Sequence, residues 1–515
     1  MSKRFNLLIL KLLTLILLLT ASFFFIEYQK NNKAICKDCN VVLISLDTVR
    51  AQDMSCYGYN INTTPFLNRF VKDAVLFKND FSQATFTFPS HMSFLTSTYP
   101  SCTEFIFPGR DVLHHQVLTL PEVLKALGYT TIWNGILTDP HLSLTAGYER
   151  GIDLFFSYEW KNGINWIKKH PNEKFYVFFH TYVAHDPYTP TKSDMEQLGF
   201  IDLPDKVCYD RCFDKLFSQI LKNMSFMQTI MSTEDFAKYS LLELENLSVN
   251  ETINAVENFL ATRTNNSGMI TSKFSTETFK LRQKKYYQIY NDSDPFDLIL
   301  LQKLYDARIL KADKMVENVI NELKLLGLYN KTIIIITSDH GEEFREHGSI
   351  RHYFIHDEST HVPLIIRIPG VQPSVREDFV EGVDIMPTVL AALGVSLLET
   401  TQGRNLLPYL LSGKRVPYKP VYTYIGNIAS VRTKDWRFTI LNLTEKPRYE
   451  LLKVVGNNDV PGNVFQEYPE VVENLNRTLF NWLATNQKCK YKSTHQWSSD
   501  ISDEVKQKIL KTGYW

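Results

Sequence analysis

The stretch NVVLISLDTVRAQDMSCYGY, residues 40–59, decides the fold class. Its first seven residues, Asn40 to Leu46, are almost purely apolar and rich in β-branched side chains. Without polar alternation, such a run reads as a strand buried on both faces of a parallel sheet. Similar runs recur at 130–133, 175–179, 332–336 and 362–368. Helical patterns lie between them, at 65–76, 120–127 and, longest, 301–326. In the last, Ala312, Met315, Val316, Val319, Ile320 and Leu323 share one face, and Gly327 marks the stop. This alternation predicts an α/β fold over residues 40–395: a doubly wound, mainly parallel sheet covered by helices on both faces. Residues 396–515 change to short strands, turns and a last helix near 471–483, a smaller C-terminal α+β domain. Residues 195–300, rich in Asn, Ser, Thr and charge, are expected to form a helical insertion.

The chain has 515 residues, 44% hydrophobic and 22% charged, with 56 basic and 56 acidic side chains. That composition builds a sizeable core and excludes disordered, collagen-like and coiled-coil chains. The charge balance gives no basic surplus, so no nucleic-acid partner is expected. Residues 1–33 carry Lys3 and Arg4 ahead of an apolar run from Phe5 to Ile26, long enough to span a bilayer. They read as a signal anchor or a cleaved signal peptide, Thr20-Ala21-Ser22 being a poor cleavage site. Either reading puts the catalytic region outside the cytoplasm, membrane-anchored or secreted. Sequons at Asn62, Asn223, Asn246, Asn250, Asn265, Asn291, Asn330, Asn442 and Asn476 would permit glycosylation, although such sites also arise by chance. The seven cysteines suit an oxidising space with one left over; the close pairs Cys36/Cys39 and Cys208/Cys212 are expected to form local disulfides.

The chemistry falls at strand ends. Asp47 follows strand 40–46, and Asp339 and His340 follow strand 332–336. His180 follows strand 175–179, with His185 and Asp186 just beyond. In open α/β sheets ligands bind beyond the carboxyl ends of the strands, so three strands deliver metal-type or acid–base groups to one edge. Five of the thirteen histidines (340, 347, 352, 356 and 361) also cluster. Two carboxylates and an imidazole suit one divalent metal ion, Zn²⁺ or Mn²⁺ ahead of Ca²⁺, which prefers more oxygen ligands. Such an ion would lower the pKa of a bound hydroxyl, and a hydroxyl-rich loop stands ready at Thr85-Phe-Thr87-Phe-Pro89-Ser90-His91.

Six stretches in order carry a family resemblance: residues 40–59, TFPSHMSFLTSTYP (87–100), FFHTYVAHDPYTP (178–190), 305–343 ending in TSDHGEE, HDESTHVPLIIRIPG (356–370) and VDIMPTVLAALGV (383–395). They resemble the sulfatase branch of the alkaline phosphatase superfamily, which implies cleavage of a sulfate or phosphate ester at a metal centre. By that resemblance Asp47, Asp339 and His340 are metal ligands, and Thr87 stands where sulfatases carry the Cys or Ser oxidised to formylglycine. His91 stands at the Arg of the same motif, and His185 at the histidine of the substrate loop. His352 stands where many sulfatases place a substrate-binding Lys. Thr48 replaces the second Asp of the usual pair. The Lys/His motif expected near residue 133 is absent from NGILTDPHLS (134–143), as is the Asp-rich loop of a second metal.

A threonine cannot become formylglycine. Its place beside two Asp and a His is similar to phosphoethanolamine transferases, lipoteichoic acid synthases and nucleotide phosphodiesterases, where Thr is a covalent nucleophile. The resulting expectation is Thr87 as nucleophile and metal ligand, with His91, His185 and His352 stabilising charge or protonating the leaving oxygen. For His91 and His352, support of neighbouring groups is the competing role. Arg50 and His180 are substrate-binding candidates, with a surface salt bridge as the alternative for Arg50. Expected substrates are sulfated or phosphorylated small molecules, glycans or lipid head groups, with hydrolase, phosphotransferase and catalytically silent binding protein all open.

Overall fold

The computed structural model describes residues 34–106, 111–135, 147–156, 160–209, 283–444, 446–456 and 458–492. The N-terminal segment, most of the 195–300 insertion and four sequons (Asn223, Asn246, Asn250 and Asn265) therefore lie outside the described residues. Among those described, no helix is long and apolar enough to cross a membrane.

Among the described residues, ten strands precede residue 382: β1 (Asn40–Leu46), β2 (Val75–Phe81), β3 (Thr130–Asn134), β4 (Leu154–Phe156), β5 (Phe175–Thr181), β6 (Thr332–Thr337), β7 (Glu343–Phe344), β8 (Ile350–Arg351), β9 (His361–Arg367) and β10 (Ser374–Glu381). Eight of them form one sheet in the order β10-β2-β9-β6-β1-β5-β3-β4, while β7 and β8 pair as a small ribbon. Every strand of the large sheet except β9 runs in one direction. The expected doubly wound sheet is present, and β1 at its centre shows why its sequence lacks alternation. Val42, Ile44 and Leu46 pack on one face against the long helix Pro295–Leu325. Val41 and Leu43 pack on the other, with Met92, Phe94 and the helix Ile385–Ala392.

Two expectations need correction. The helix expected over 65–76 is only Leu67–Phe70 followed by a 3-10 turn, because Val75–Phe81 is drawn into the sheet between β9 and β10. Cys102 pairs with Cys489 across 387 residues, so disulfides are not only local. Cys36–Cys39 is the expected short bridge, Cys208 is also disulfide-bonded, and Cys56 is free.

Residues 406–416 still pack on the α/β core through Leu406, Leu407, Leu410 and Val416. The C-terminal layer then follows as five antiparallel strands in sequence order: β11 (Val421–Ile425), β12 (Ile428–Arg432), β13 (Trp436–Leu441), β14 (Arg448–Val455) and β15 (Asn458–Val460). Leu475, Leu479 and Leu483 of the helix Pro469–Gln487 cover one face of that sheet. The layer docks beside the Ser82–Phe86 loop: Thr423 donates its hydroxyl proton to the Ser82 carbonyl, and the Tyr424 N–H donates to Gln83.

Candidate active site

Register assembles the site. Ser45 on β1 pairs with His180 on β5 and with Thr337 on β6, so Asp47 and Asp339 emerge side by side from adjacent parallel strands. Thr48 turns the chain at once, with φ +60°. Its hydroxyl donates to the Asp47 carbonyl at 2.7 Å, and its N–H points at Asp339 Oδ1 at 3.4 Å. The position that carries a second Asp in the sulfatase pattern therefore holds backbone here, not a metal.

Asp47 and Asp339 are fully buried. Neither oxygen of Asp47 has a hydrogen-bond partner, nor has Asp339 Oδ2. Burial first, and then the Asp339 charge, push the Asp47 carboxyl above its ordinary range. Burial also acts on Asp339, but the imidazoles of His340, His91 and His180 outweigh it and hold that carboxylate well below the ordinary range. Buried carboxylate oxygens without donors are costly unless a cation meets them.

His340 offers a third possible ligand atom. Its Nδ1 lies 3.0 Å from the Gly341 carbonyl, which places the proton there and leaves the Nε2 lone pair free. Nε2 is 3.8 Å from Asp47 Oδ1, 3.6 Å from Asp339 Oδ2 and 3.4 Å from Thr87 Oγ1. The ligand atoms of Asp47, Asp339 and His340 all lie within 4.8 Å of one another. This mixed carboxylate–imidazole set could hold one divalent metal ion.

Thr87 is the first residue of the helix Thr87–Thr96, with extended Phe86 before it, and is 8% exposed. The free N–H groups of that first turn favour negative charge at its hydroxyl. His185 and His352 stand nearby, with ring centres 5.6 Å apart, and His352 lies 4.3 Å from His340. Asp186 holds His185 Nδ1 at 3.0 Å. Burial pulls the His185 pKa down, but that hydrogen bond and the surrounding carboxylates outweigh it, so the ring keeps its proton well above the ordinary value. His352 goes the other way: burial, then the His185 charge, bring it down to about 3. Its Nδ1 meets Glu342 Oε1 at 3.1 Å, and burial raises the Glu342 carboxyl to about 7.

Three expected substrate contacts sit elsewhere. Arg50 is 4% exposed and engaged by Asp53, by Glu346 at 2.6 Å and by the Glu342 carbonyl, so it is neither an anion ligand nor a surface ion pair. His91, one turn below Thr87, is fully buried; its Nε2 is 3.1 Å from Ser45 Oγ and 3.7 Å from Asp339 Oδ2. His180 is 1% exposed, with Nε2 3.5 Å from Asp47 Oδ2. Both rings meet the carboxylates from within the core and cannot reach a leaving oxygen. Asp186 was expected only as one of the metal-type or acid–base groups at this edge, and Glu342, two residues beyond His340, carried no motif signal of its own. Arg351, whose Nε is 3.4 Å from Asp186, carried no motif signal.

A family model described as Sulfatase matches residues 39–395, and one described as N-sulphoglucosamine sulphohydrolase, C-terminal, matches residues 345–479. Arylsulfatase K of Bos taurus is 28% identical over 231 residues, which cover 41% of this chain and 41% of that protein. N-acetylglucosamine-6-O-sulfatase of Bacteroides thetaiotaomicron is 23% identical over 448 residues, 77% of each chain. Among solved structures, a protein in complex with its substrate D-glucosamine-2-N,6-O-disulfate superposes with TM-score 0.60 and 18% identity, covering 88% of this chain and 99% of that one. Phosphonate monoester hydrolase of Agrobacterium radiobacter gives TM-score 0.56 and 17% identity, covering 87% and 96%. At these identities the structural likenesses establish a common fold.

Proposed function

The chain belongs to the sulfatase family, and from that premise we propose that it is a metal-dependent ester hydrolase in which Thr87 is the nucleophile and phosphoesters are the preferred substrates. The observation that carries this reading is the approach of Thr87 Oγ1 to His340 Nε2 at a helix N-terminus, beside three carboxylate oxygens, both of Asp47 and Oδ2 of Asp339, that have no hydrogen-bond partner. A divalent ion held by Asp47, Asp339, His340 and Thr87 would supply Lewis acidity and lower the hydroxyl's pKa.

The remaining steps belong to the protein. Thr87 releases its proton to solvent, and its oxygen attacks phosphorus in line. The Oγ–P bond forms as the bond to the ester oxygen breaks. That oxygen takes the electron pair and a proton from His185, which Asp186 orients at Nδ1. Water then attacks phosphorus and gives one proton back to His185. The Oγ–P bond breaks and Thr87 takes up a proton from solvent. His352, kept neutral and fixed by Glu342, is placed to hydrogen-bond the ester's equatorial oxygens.

A sulfuric ester substrate is the second reading, favoured by the sulfatase names of the relatives matched in sequence. Sulfated or phosphorylated glycans, lipid head groups and small molecules all fall within the two readings. The disulfides accord with a catalytic domain on the extracytoplasmic side. A catalytically silent binding protein is disfavoured, because loss of ligands is its usual mark and Asp47, Asp339 and His340 are all in place.

The test compares aryl phosphodiester, phosphomonoester and sulfate turnover by the metal-loaded protein with that of Thr87→Ala. Phosphoester turnover that Thr87→Ala abolishes is the expected result. Sulfate turnover that survives Thr87→Ala would overturn the nucleophile, and no turnover at all would favour the binding protein.

A further inference from the structure

Behind the cluster of Asp47, Asp339 and His340 lies a second one. Ligand atoms of His91, His180 and Asp339 also fall within 4.8 Å of one another, and Asp339 alone belongs to both groups. The two imidazoles approach edge to face, with ring centres 4.5 Å apart and planes at 90°. Aromatic rings enclose them: Phe178, Trp133 and Tyr148 pack within 6.3 Å of His91, and Tyr182 within 4.8 Å of His180.

Among the described residues, the Ser45 hydroxyl, 3.1 Å from His91 Nε2, is the one hydrogen-bond partner that either ring has. Both ring nitrogens of His180 and Nδ1 of His91 are buried without a hydrogen-bond partner, and so is Asp339 Oδ2. Apolar packing alone would be served better by Leu or Phe, since an imidazole must lose water at two nitrogens to be there. The printed spacing within this group suits coordination: His91 Nε2 to Asp339 Oδ2 is 3.7 Å, and all three ligand atoms lie within 4.8 Å of one another. Ligands on bonds of about 2.1 Å around a tetrahedral ion sit about 3.4 Å apart. Charge points the same way. Two carboxylates, a threonine alkoxide and an anionic ester gather more negative charge in a buried site than one dication balances. In the motif that the chain resembles, a guanidinium stands at residue 91. An imidazole can ligate a metal, and a guanidinium, which has no acceptor, cannot.

We propose that His91, His180 and Asp339 hold a second divalent cation of the zinc class, buried one helical turn below Thr87 and sharing Asp339 with the first. The inference rests on the catalytic reading through Asp339 and through the charge that reading gathers at the site. Set one helical turn below Thr87, behind the first ligand group, this cation is placed away from the ester. It neutralises and positions the shared carboxylate.

Zinc content of the purified full-length chain, measured by plasma mass spectrometry after dialysis against Zn²⁺, is the test. Two ions per chain are expected, falling to one in His91→Gln/His180→Gln. X-ray absorption at the zinc edge of the unmutated protein gives a reading that does not depend on how the variant folds: three imidazoles shared between two ions, against one imidazole on one ion. One ion per chain with a single imidazole would overturn the proposal, as would two ions retained in the double variant. Two ions without ester turnover would leave this inference standing and remove the catalytic one; turnover with a single ion would do the reverse.

Discussion

Gly341→Ala tests how tightly the backbone holds the proposed metal ligands. Gly341 lies between His340 and Glu342, and its N–H donates to the Ser359 carbonyl at 2.9 Å. Its neighbour Glu342 donates to the Glu358 carbonyl at 3.0 Å. A Cβ at residue 341 would lie 1.9 Å from that same Glu358 oxygen and 3.3 Å from Arg50 Cβ. Ordinary contact begins at 3.4 Å, so the two segments must part by about 1.5 Å, an overpacking that costs about 1–3 kcal/mol. The oxygen belongs to the backbone and cannot swing away, so His340 moves with residue 341. A displacement of about 1 Å at a reacting centre costs on the order of 10²-fold in rate. We expect kcat/KM on an aryl phosphodiester to fall by about that factor, with weaker metal retention and a folded circular dichroism spectrum. Wild-type turnover and wild-type metal content in Gly341→Ala would refute the claim that this backbone approach fixes His340.

Three further outcomes follow from the packing of the C-terminal layer. Asp357 is buried between Arg432 and Arg437, with Asp459 on the far side of Arg437. Asp357→Asn leaves buried guanidinium charge uncompensated, so urea denaturation should show a loss of about 3–5 kcal/mol; an unchanged midpoint would contradict it. Opening the Cys102–Cys489 bridge with Cys489→Ser frees a loop spanning 387 residues, and about 2–5 kcal/mol should be lost under oxidising conditions. A melt identical to that of the wild type would count against the bridge. Burial pulls His356 down, but its hydrogen bonds to Glu343 and to Glu450 of the C-terminal sheet win and raise its pKa to about 10. The stability it contributes is complete below about pH 6.5, the unfolded value, and fades as pH rises towards 10. Urea midpoints measured across that window should decline in the wild type and flatten in His356→Gln.

The parts of the fold visible in sequence were those where burial is complete. The run Asn40–Leu46 is buried along its whole length, and Thr332–Thr337 likewise, so apolar content alone marked them. VLFKNDF, residues 75–81, was read partly as helix because Lys78, Asn79 and Asp80 break its apolar run. In the structure Lys78 reaches the Tyr57 carbonyl and Asn79 the Glu377 carbonyl. The edge strand Ser374–Glu381 was missed for a related reason, its first half being largely polar and solvated. At the site, the strand-end rule marked Asp47, Asp339 and His340, which the structure places together, and the family resemblance marked Thr87, which lies beside His340, but depth was not legible. His91 and His180 occupy the expected elements yet lie beneath the carboxylates, a fact set by β1–β5 register and aromatic packing. Arg50 was misread because Glu346, one of its two carboxylate partners, is remote in sequence. The Cys102–Cys489 pairing was beyond reach, since connectivity cannot be deduced from cysteine spacing.

The claim on which the account turns is that Thr87 carries the transferred group. Rapid-quench mass spectrometry of the metal-loaded protein, mixed with an aryl phosphodiester and digested at low pH, reads this directly. A phosphoryl ester on Thr87 that builds up within a turnover, decays with product release and is absent from Thr87→Ala is the predicted result. Product formed with Thr87 unmodified at every quench time, or the group found on another side chain, would contradict it.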